Sequence, residues 1–381
     1  MAETVLQVAD YGAPYSGNFI ASLRTLEGRL SSAGWRMIYA FSDVAADRMW
    51  LTELREAGCT VHMLRRRDSI FRRARAIAAI ASSEKASIIH THFTTFDVAA
   101  LLAGLLLRVV GRHVKVVWHV HSPWRDQPGF IRRIKDFIKW RLLGRFTFTV
   151  VVSDGGYEVM TSCGVRPNRA TVIYNGIALD RVWSGDRALR KQVRDELGVP
   201  EGVVCLLAYA WDPERKGVDL LVEAMRLLNK QGTAWCLLLV GEDRVRRYLA
   251  TRFEGRLPKG VLVLPPVEDP VRYYAAADIF VSASRREGFP YAVAEAMGAG
   301  LPVVSSDIAG LEWAQNAQGC KFFPTENVLA LVAAINEVVR WTAGERAERI
   351  SNNQSLIRNG YSAESWAEQV LQLYRRLLAT E

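Results

Sequence analysis

Cysteine is scarce and poorly placed for pairing. The five copies stand at 59, 163, 205, 236 and 320, and no two form a C-x-x-C unit. That spacing excludes a zinc ribbon or a disulfide scaffold and fits a reducing compartment. Long apolar runs are missing too. The longest, Val98 to Leu107, reaches about half of a membrane span. No leading segment has the layout of a signal peptide, and Val5-Leu-Gln-Val-Ala9 reads as a buried strand. A cytoplasmic chain is expected, with peripheral contact at the inner face of the plasma membrane as its widest reach. No Asp-x-Asp pair is placed to hold a metal, and no repeat or low-complexity tract is evident. The motifs and stacking platforms of nucleic-acid binders are absent, so nucleic acid is not an expected partner.

Half of the 381 residues are hydrophobic, enough for sizeable cores in two or three domains. The net charge of +9 is unevenly placed: residues 1–180 hold 24 Lys and Arg against 15 Asp and Glu, and the remainder holds 25 of each. An anionic surface or substrate for the first half follows, or else a solvated basic face. Strand-like runs alternate with helical patterns throughout. In the first half the strands are expected at 5–9, 37–41, 60–64, 88–91, 114–119 and 149–153, and in the second at 203–209, 236–240, 261–264, 279–282 and 302–305. That alternation predicts an α/β chain of two doubly wound, Rossmann-like domains. Asn175-Gly176 is a strong turn signal. It sets the expected boundary, with one domain over 1–176 and the other over 177–361.

The run from Ser284 to Val304 carries the most chemistry. Glu287 and Glu295 flank a Gly288-Phe289-Pro290 turn, with an apolar strand before and another after. A strand, a tight turn and a helix start make an anion site, because backbone N–H groups and the helix dipole point out of the turn. Carboxylates beside it suit hydroxyl groups, so a phosphorylated sugar is the natural ligand.

This run resembles the E-x7-E element of retaining glycosyltransferases of family 4. That resemblance implies the GT-B fold: two facing domains, an interdomain cleft, and a last helix, within 362–381, that crosses back to the first domain. Trp366, Val370, Leu373 and Leu377 give that helix a stripe to bury. The resemblance continues along the chain. The loop Tyr15-Ser-Gly-Asn-Phe19 corresponds to a Gly-Gly loop for donor and acceptor, with Ser16 in place of the first glycine and Gly17 kept. The segment Ala208 to Asp219 resembles an element whose Arg and Lys neutralise a diphosphate. Lys216 matches; Trp211 stands where the Arg is usual, and Arg215 is the candidate second cation. By resemblance, Glu287 binds hydroxyls of the transferred sugar and Glu295 the ribose. Gly288, Phe289, Pro290 and Tyr291 hold phosphate and sugar, and Val267, in the Pro265–Glu268 loop, edges the base, uridine being the commonest.

Two His-x-His units, His90-Thr-His92 and His119-Val-His121, put four of six histidines at strand ends. Residues i and i+2 share a strand face, so a metal site and plain sheet packing are both open readings. The family resemblance favours a third, in which His121 touches the donor sugar and the reacting centre. The implied activity is metal-independent, cofactor-free transfer of a hexose or N-acetylhexosamine from a nucleoside diphosphate. The acceptor is a glycan, a lipid-linked sugar or a small natural product. A nucleotide-sugar epimerase and a non-catalytic nucleotide-sugar binder are the alternatives. Finally, residues 125–145 form a basic amphipathic stretch with an apolar stripe at Ile131, Ile134, Ile138 and Leu142. The stripe is expected to pack on the sheet and leave its Lys and Arg in water; lying on an anionic membrane is the other option.

Overall fold

The computed structural model describes residues 3–122, 130–182 and 186–379. Arg125, and the side chains of Ile131 and Arg132, lie outside the described residues. The chain divides into two compact units, residues 1–176 with 363–381 (unit 1) and residues 177–362 (unit 2).

Unit 1 is built on seven parallel strands: β1 (Thr4–Ala9), β2 (Arg36–Ser42), β3 (Val61–Leu64), β4 (Ile88–His92), β5 (Lys115–Val120), β6 (Phe148–Val151) and β7 (Ala170–Val172). Their order is β3-β2-β1-β4-β5-β6-β7. Every residue of β1 and β4 is buried, as a sheet covered on both faces requires. One face packs Val5, Met37, Tyr39, Val117 and Val150 against the helices Gly17–Ser32 and Ala363–Ala379. The last helix contributes Trp366, Val370, Leu373 and Leu377, all buried, to the core of unit 1. The other face packs Leu6, Ile38 and Trp118 against the helices Ile70–Ser83 and Asp97–Val109.

Unit 2 repeats the plan with β8 (Val204–Tyr209), β9 (Trp235–Val240), β10 (Val261–Leu264), β11 (Ile279–Ser282), β12 (Val303–Asp307) and β13 (Cys320–Pro324). The order is β10-β9-β8-β11-β12-β13, again parallel. In each sheet the strand order reverses once, between β1 and β4 and between β8 and β11. Open α/β sheets bind ligands beyond the carboxyl ends of strands at such reversals. Every expected strand forms within a residue or two of its expected span. The two edge strands β7 and β13 fall outside the expected set: one is three residues long, and the other carries Lys321 and ends on Pro324.

The basic stretch departs from expectation. A helix Phe130–Asp136 continues as a π-helical turn Phe137–Leu143. It buries Trp140 and not the stripe: Ile134, Ile138 and Leu142 are 45%, 43% and 38% exposed. Lys139 turns inward as well. Its Nζ lies 2.7 Å from Asp97 Oδ2 and 4.4 Å from the Trp140 ring centre.

Candidate active site

In unit 2 the site grows from the carboxyl ends of β8 and β11. After β8 the chain loops through residues 210–217 into the helix Val218–Leu228. Gly217 has φ +62°, and a Cβ there would stand 2.1 Å from the Ala283 carbonyl oxygen. Only glycine tolerates both conditions, and this close approach brings Lys216 alongside the chain that leaves β11. Lys216 Nζ donates to Glu287 Oε1 at 2.6 Å, and Arg215 Nη1 to Glu287 Oε2 at 3.3 Å. Lys216 and Glu287 are both buried. Burial pushes the Glu287 carboxyl upward. The charges of Lys216 and Arg215, with hydrogen bonds from Lys216 and Ser284, outweigh it and hold the group below the usual carboxylate range.

Arg285 stitches the two segments together. Its guanidinium meets Asp219 at 3.0 and 2.9 Å, bonds Glu326, and donates to the Glu214 carbonyl. Its backbone N–H donates to the Arg215 carbonyl at 2.8 Å. Burial tends to raise the Asp219 carboxyl, but the Arg285 bonds keep it below its ordinary value. Trp211, more than half exposed, lies under the Arg215 guanidinium at 4.4 Å and 5.8 Å from Lys216 Nζ. The residue that replaces the expected Arg is therefore a cation–π platform for the next one.

The turn after Glu287 is buttressed from below. Gly310 has φ +94°, and a Cβ there would come within 2.4 Å of the Glu287 carbonyl oxygen and 2.8 Å of that of Gly288. Gly288, Phe289 and Pro290 are buried, with Phe289 stacked on Trp313 at 5.1 Å. Pro290 leads into the helix Tyr291–Gly298, where Tyr291 is half-buried. Glu295 lies in the second turn, half-buried, and accepts a 2.5 Å hydrogen bond from Tyr274 Oη. Burial, then the charge of Glu295, raise the Tyr274 hydroxyl and keep it a donor. Val267 is half-buried in the loop after β10. A cavity of about 740 Å³ lined by Arg187, Arg190, Lys191, Arg194 and Arg346 opens elsewhere, at the amino ends of β8 and β11. Its Arg190 and Arg194 are held by Asp278 and the carbonyls around it, and it adjoins none of the site residues.

In unit 1, Ser16 stands at the residue before the helix that opens at Gly17, whose φ is +56°. Tyr11 Oη donates to the Ser16 carbonyl at 3.1 Å. Tyr11 also packs on Phe19, and the Phe19 ring lies 5.7 Å from His121. His121 stands just past the end of β5, half-buried, stacked on Phe93 at 4.6 Å. Phe93 and Thr94 both have positive φ, +63° and +61°. Two consecutive non-glycine residues in the left-handed region store strain at this strand end.

The other three histidines of the two pairs are fully buried on one sheet face. His92 Nε2 donates to Gln7 Oε1 at 2.9 Å, so its Nδ1 accepts from His121 Nε2 at 3.0 Å. Gln7 Nε2 donates to Tyr374 Oη at 2.9 Å, and the Tyr374 hydroxyl to His90 Nδ1 at 2.5 Å. Burial is the main cause that drives all four histidines down, His90 and His121 to about 3. Nitrogens of His90, His92 and His119 lie within 4.8 Å of one another, close enough for one metal ion to bridge. His92 already spends both nitrogens, however, and the His90 and His119 rings lie within 6° of parallel. Their in-plane lone pairs therefore do not converge on a common point.

Comparison with known proteins adds to this geometry. Residues 25–181 match the family described as Glycosyltransferase Family 4, and residues 201–341 match Glycosyl transferases group 1. The chain belongs to glycosyltransferase family 4. Among relatives of this family 4 chain, the amylovoran biosynthesis glycosyltransferase AmsK of Erwinia amylovora is 35% identical over 32% of this chain and 31% of its own length. The D-inositol 3-phosphate glycosyltransferase of Geodermatophilus obscurus is 33% identical over 42% of this chain and 38% of its own. The chain thus spans about a third of the length of these relatives. The crystal structure of Anabaena Alr3699/HepE with UDP and glucose superposes with a TM-score of 0.80 at 18% identity, covering 98% of this chain and all of that one. That likeness is one of fold, and the fold is GT-B.

Several residues that shape this family 4 site carry little signal in the sequence. Arg285 sits inside the run 284–304 but reads as one more surface cation. Gly310 has a signal, a glycine soon after a strand, with nothing in the string to say what approaches it. Tyr274 reads as a core aromatic.

Proposed function

We propose that this protein is a retaining glycosyltransferase that moves a hexose or N-acetylhexosamine from a nucleoside diphosphate, UDP in the first instance, to an acceptor hydroxyl, without a metal. The observation that carries the reading is the cluster of buried Lys216 and Glu287 with half-buried Arg215 at the carboxyl ends of β8 and β11. A diphosphate would compete with Glu287 for the two cations and free its carboxylate for the sugar hydroxyls. Fixed cations in a dry site stabilise the charge that develops on the leaving diphosphate better than water does. Glu295, aimed by Tyr274, would take the ribose, and Val267 would edge the base. Gly288 to Tyr291 would hold phosphate and sugar, and Ser16, Gly17 and His121 would meet the reacting centre. Support for the donor comes from the HepE crystal structure, which holds UDP and glucose. Support for a glycan acceptor comes from the amylovoran biosynthesis enzyme.

A thermal-shift panel of nucleoside diphosphates and their sugars tests the reading. Selective binding at a hundredfold excess over Kd adds about 2.7 kcal/mol of stability, roughly 5–10 °C for units of this size. UDP and a UDP-sugar should shift the transition, and the product anomer seen by NMR should keep the donor configuration. Transfer should persist in EDTA. An inverted anomer, or a panel without any shift, would overturn the mechanism or the ligand class respectively.

A further inference from the structure

The helix Arg187–Leu197 inverts the usual order of a surface helix, whose inward stripe is ordinarily apolar. Here Arg187, Arg190, Lys191 and Arg194 recur at i, i+3, i+4 and i+7, share one face, and line the cavity at the amino ends of β8 and β11. Arg346, from the helix Ala343–Gly360, lines the same space. The carboxylates there are Asp195, Glu201 and Asp278, so the lining carries an excess of two positive charges. Asp278 takes Arg190 and Arg194, and Lys191 pairs with Asp195 at 2.5 Å. Arg190 and Arg194 also bond the last carbonyls of the helix Val271–Ala276, which gives them a structural role. That role uses neither Arg187 nor Arg346. Arg187 is exposed, and neither residue forms an ion pair among the described residues; Arg346 donates only to the Asp278 carbonyl. Burial presses the Arg346 guanidinium below its ordinary range, and the charge of Arg190 adds to this against the pull of Asp278. A guanidinium keeps its proton in a protein, so the charge stays and is poorly compensated. At about 740 Å³ the cavity has the size of a small-molecule site.

We propose that this cavity of unit 2 is a second ligand site, for a small phosphate-bearing anion held by Arg187, Lys191 and Arg346. The planar fork of an arginine matches phosphate with two parallel bonds, and a cleft lined by one sign of charge concentrates the opposite ion. Val199, Val204, Ile279 and Val339 line the cavity as well, and they suit the carbon body of an organic phosphate better than free phosphate. The cavity lies at the opposite ends of β8 and β11 from Lys216 and Glu287. The inference does not depend on the reaction assigned above.

Titration calorimetry with AMP and with inorganic phosphate tests it. The full chain carries Lys216→Met and Glu287→Leu, an apolar swap that weakens phosphate binding at the donor cluster without orphaning a buried charge. Both probes should bind one to one, AMP the more tightly, with affinity falling as salt rises. Adding Arg187→Gln and Arg346→Gln should weaken both at least about tenfold, since each removes a bond between charged groups. Arg187→Glu alone reverses one exposed charge that holds no ion pair among the described residues. It should keep the melting temperature of its background and weaken binding comparably. Tighter binding of AMP assigns the site to an organic phosphate; inorganic phosphate bound as tightly assigns it to the free ion. No binding of either probe overturns the proposal, and so does binding indifferent to every change at Arg187 and Arg346. Binding that Arg215→Gln abolishes and Arg187→Glu spares also overturns it, because the anion then sits in the donor cluster.

Discussion

Glu287 and Lys216 constrain each other, and that governs what mutation of either one reports. Removing one member of a buried pair leaves the other charge uncompensated, which costs about 3–5 kcal/mol. Glu287→Ala is therefore expected to lose activity and also to lower the melting temperature, because Lys216 remains buried. Glu287→Gln keeps an acceptor for Lys216 and should melt closer to the parent while still failing to turn over. The double variant Lys216→Met, Glu287→Leu should recover most of the stability of Glu287→Ala and none of the activity; recovery of both would show the pair to be structural only. The buried histidines make a second residue-scale prediction. His90, His92 and His119 are neutral in the folded state and have depressed pKa values, whereas the unfolded chain protonates them near 6.5. Below that pH the unfolded chain binds more protons, so stability is full above about 6.5 and is lost as pH falls toward 3. Each such group costs up to about 1.4 kcal/mol per pH unit, and the three together up to about 4. Calorimetry from about pH 7 to about pH 5 should show a steep fall in the transition of unit 1, blunted in His119→Leu. A flat profile would mean the cluster is protonated or open in solution. At this scale the sequence is legible where chemistry is local, as in Arg215-Lys216 and the string around Glu287. It is silent where partners come from afar: Asp219 meets Arg285 66 positions away, and Gln7 meets Tyr374 367 positions away.

Elements are most legible where burial is two-sided, since the apolar runs of β8, β9 and β11 leave no other assignment. The edge strands β7 and β13 escape because one is only three residues long and the other is interrupted by Lys321 and ends on Pro324. The basic helix departs from its pattern for a different reason. The stripe stays together but faces outward, Ile134 in the regular helical part included, because Trp140 and the Lys139 that bonds Asp97 take the inner face of the segment. An element-scale prediction follows for the loop 210–217. It has no regular structure of its own and is held against the β11 turn by Arg285. Arg285→Ala is expected to cost about 2 kcal/mol, the range of hydrogen bonds to charged partners. Calorimetric titration with UDP should show weaker binding, because Lys216 and Arg215 lose their register with Glu287. Arg285→Lys cannot reproduce the two-pronged bond to Asp219 and should rescue little. Unchanged UDP affinity in Arg285→Ala would mean that Gly217 and Gly310 alone fix the site.

On the scale of the whole chain, unit 1 is completed only by a helix that follows unit 2 in sequence. Trp366, Ala367, Val370, Leu371, Leu373, Tyr374 and Leu377 all belong to its core, and Tyr374 closes the hydrogen-bond chain through Gln7 and His90. Burying a large apolar side chain stabilises by about 1.5–3 kcal/mol. Even after discounting for residual burial in the unfolded chain, the large side chains among these supply on the order of 10 kcal/mol, as much as the whole net stability of a typical domain. Residues 3–176 should therefore not fold as an isolated fragment, whereas residues 177–362 enclose their own core and should melt cooperatively alone. Joining residues 363–379 to the start of 3–176 through a flexible linker should restore a cooperative transition, because the helix then re-enters its groove as an intramolecular partner. Adding Tyr374→Phe to that rearranged chain tests the polar part separately: it orphans His90 Nδ1 and should cost about 1–3 kcal/mol without abolishing the fold. If the bare fragment 3–176 melts cooperatively near the parent temperature, the helix is an accessory to unit 1 and its burial contributes far less than the area of its side chains implies.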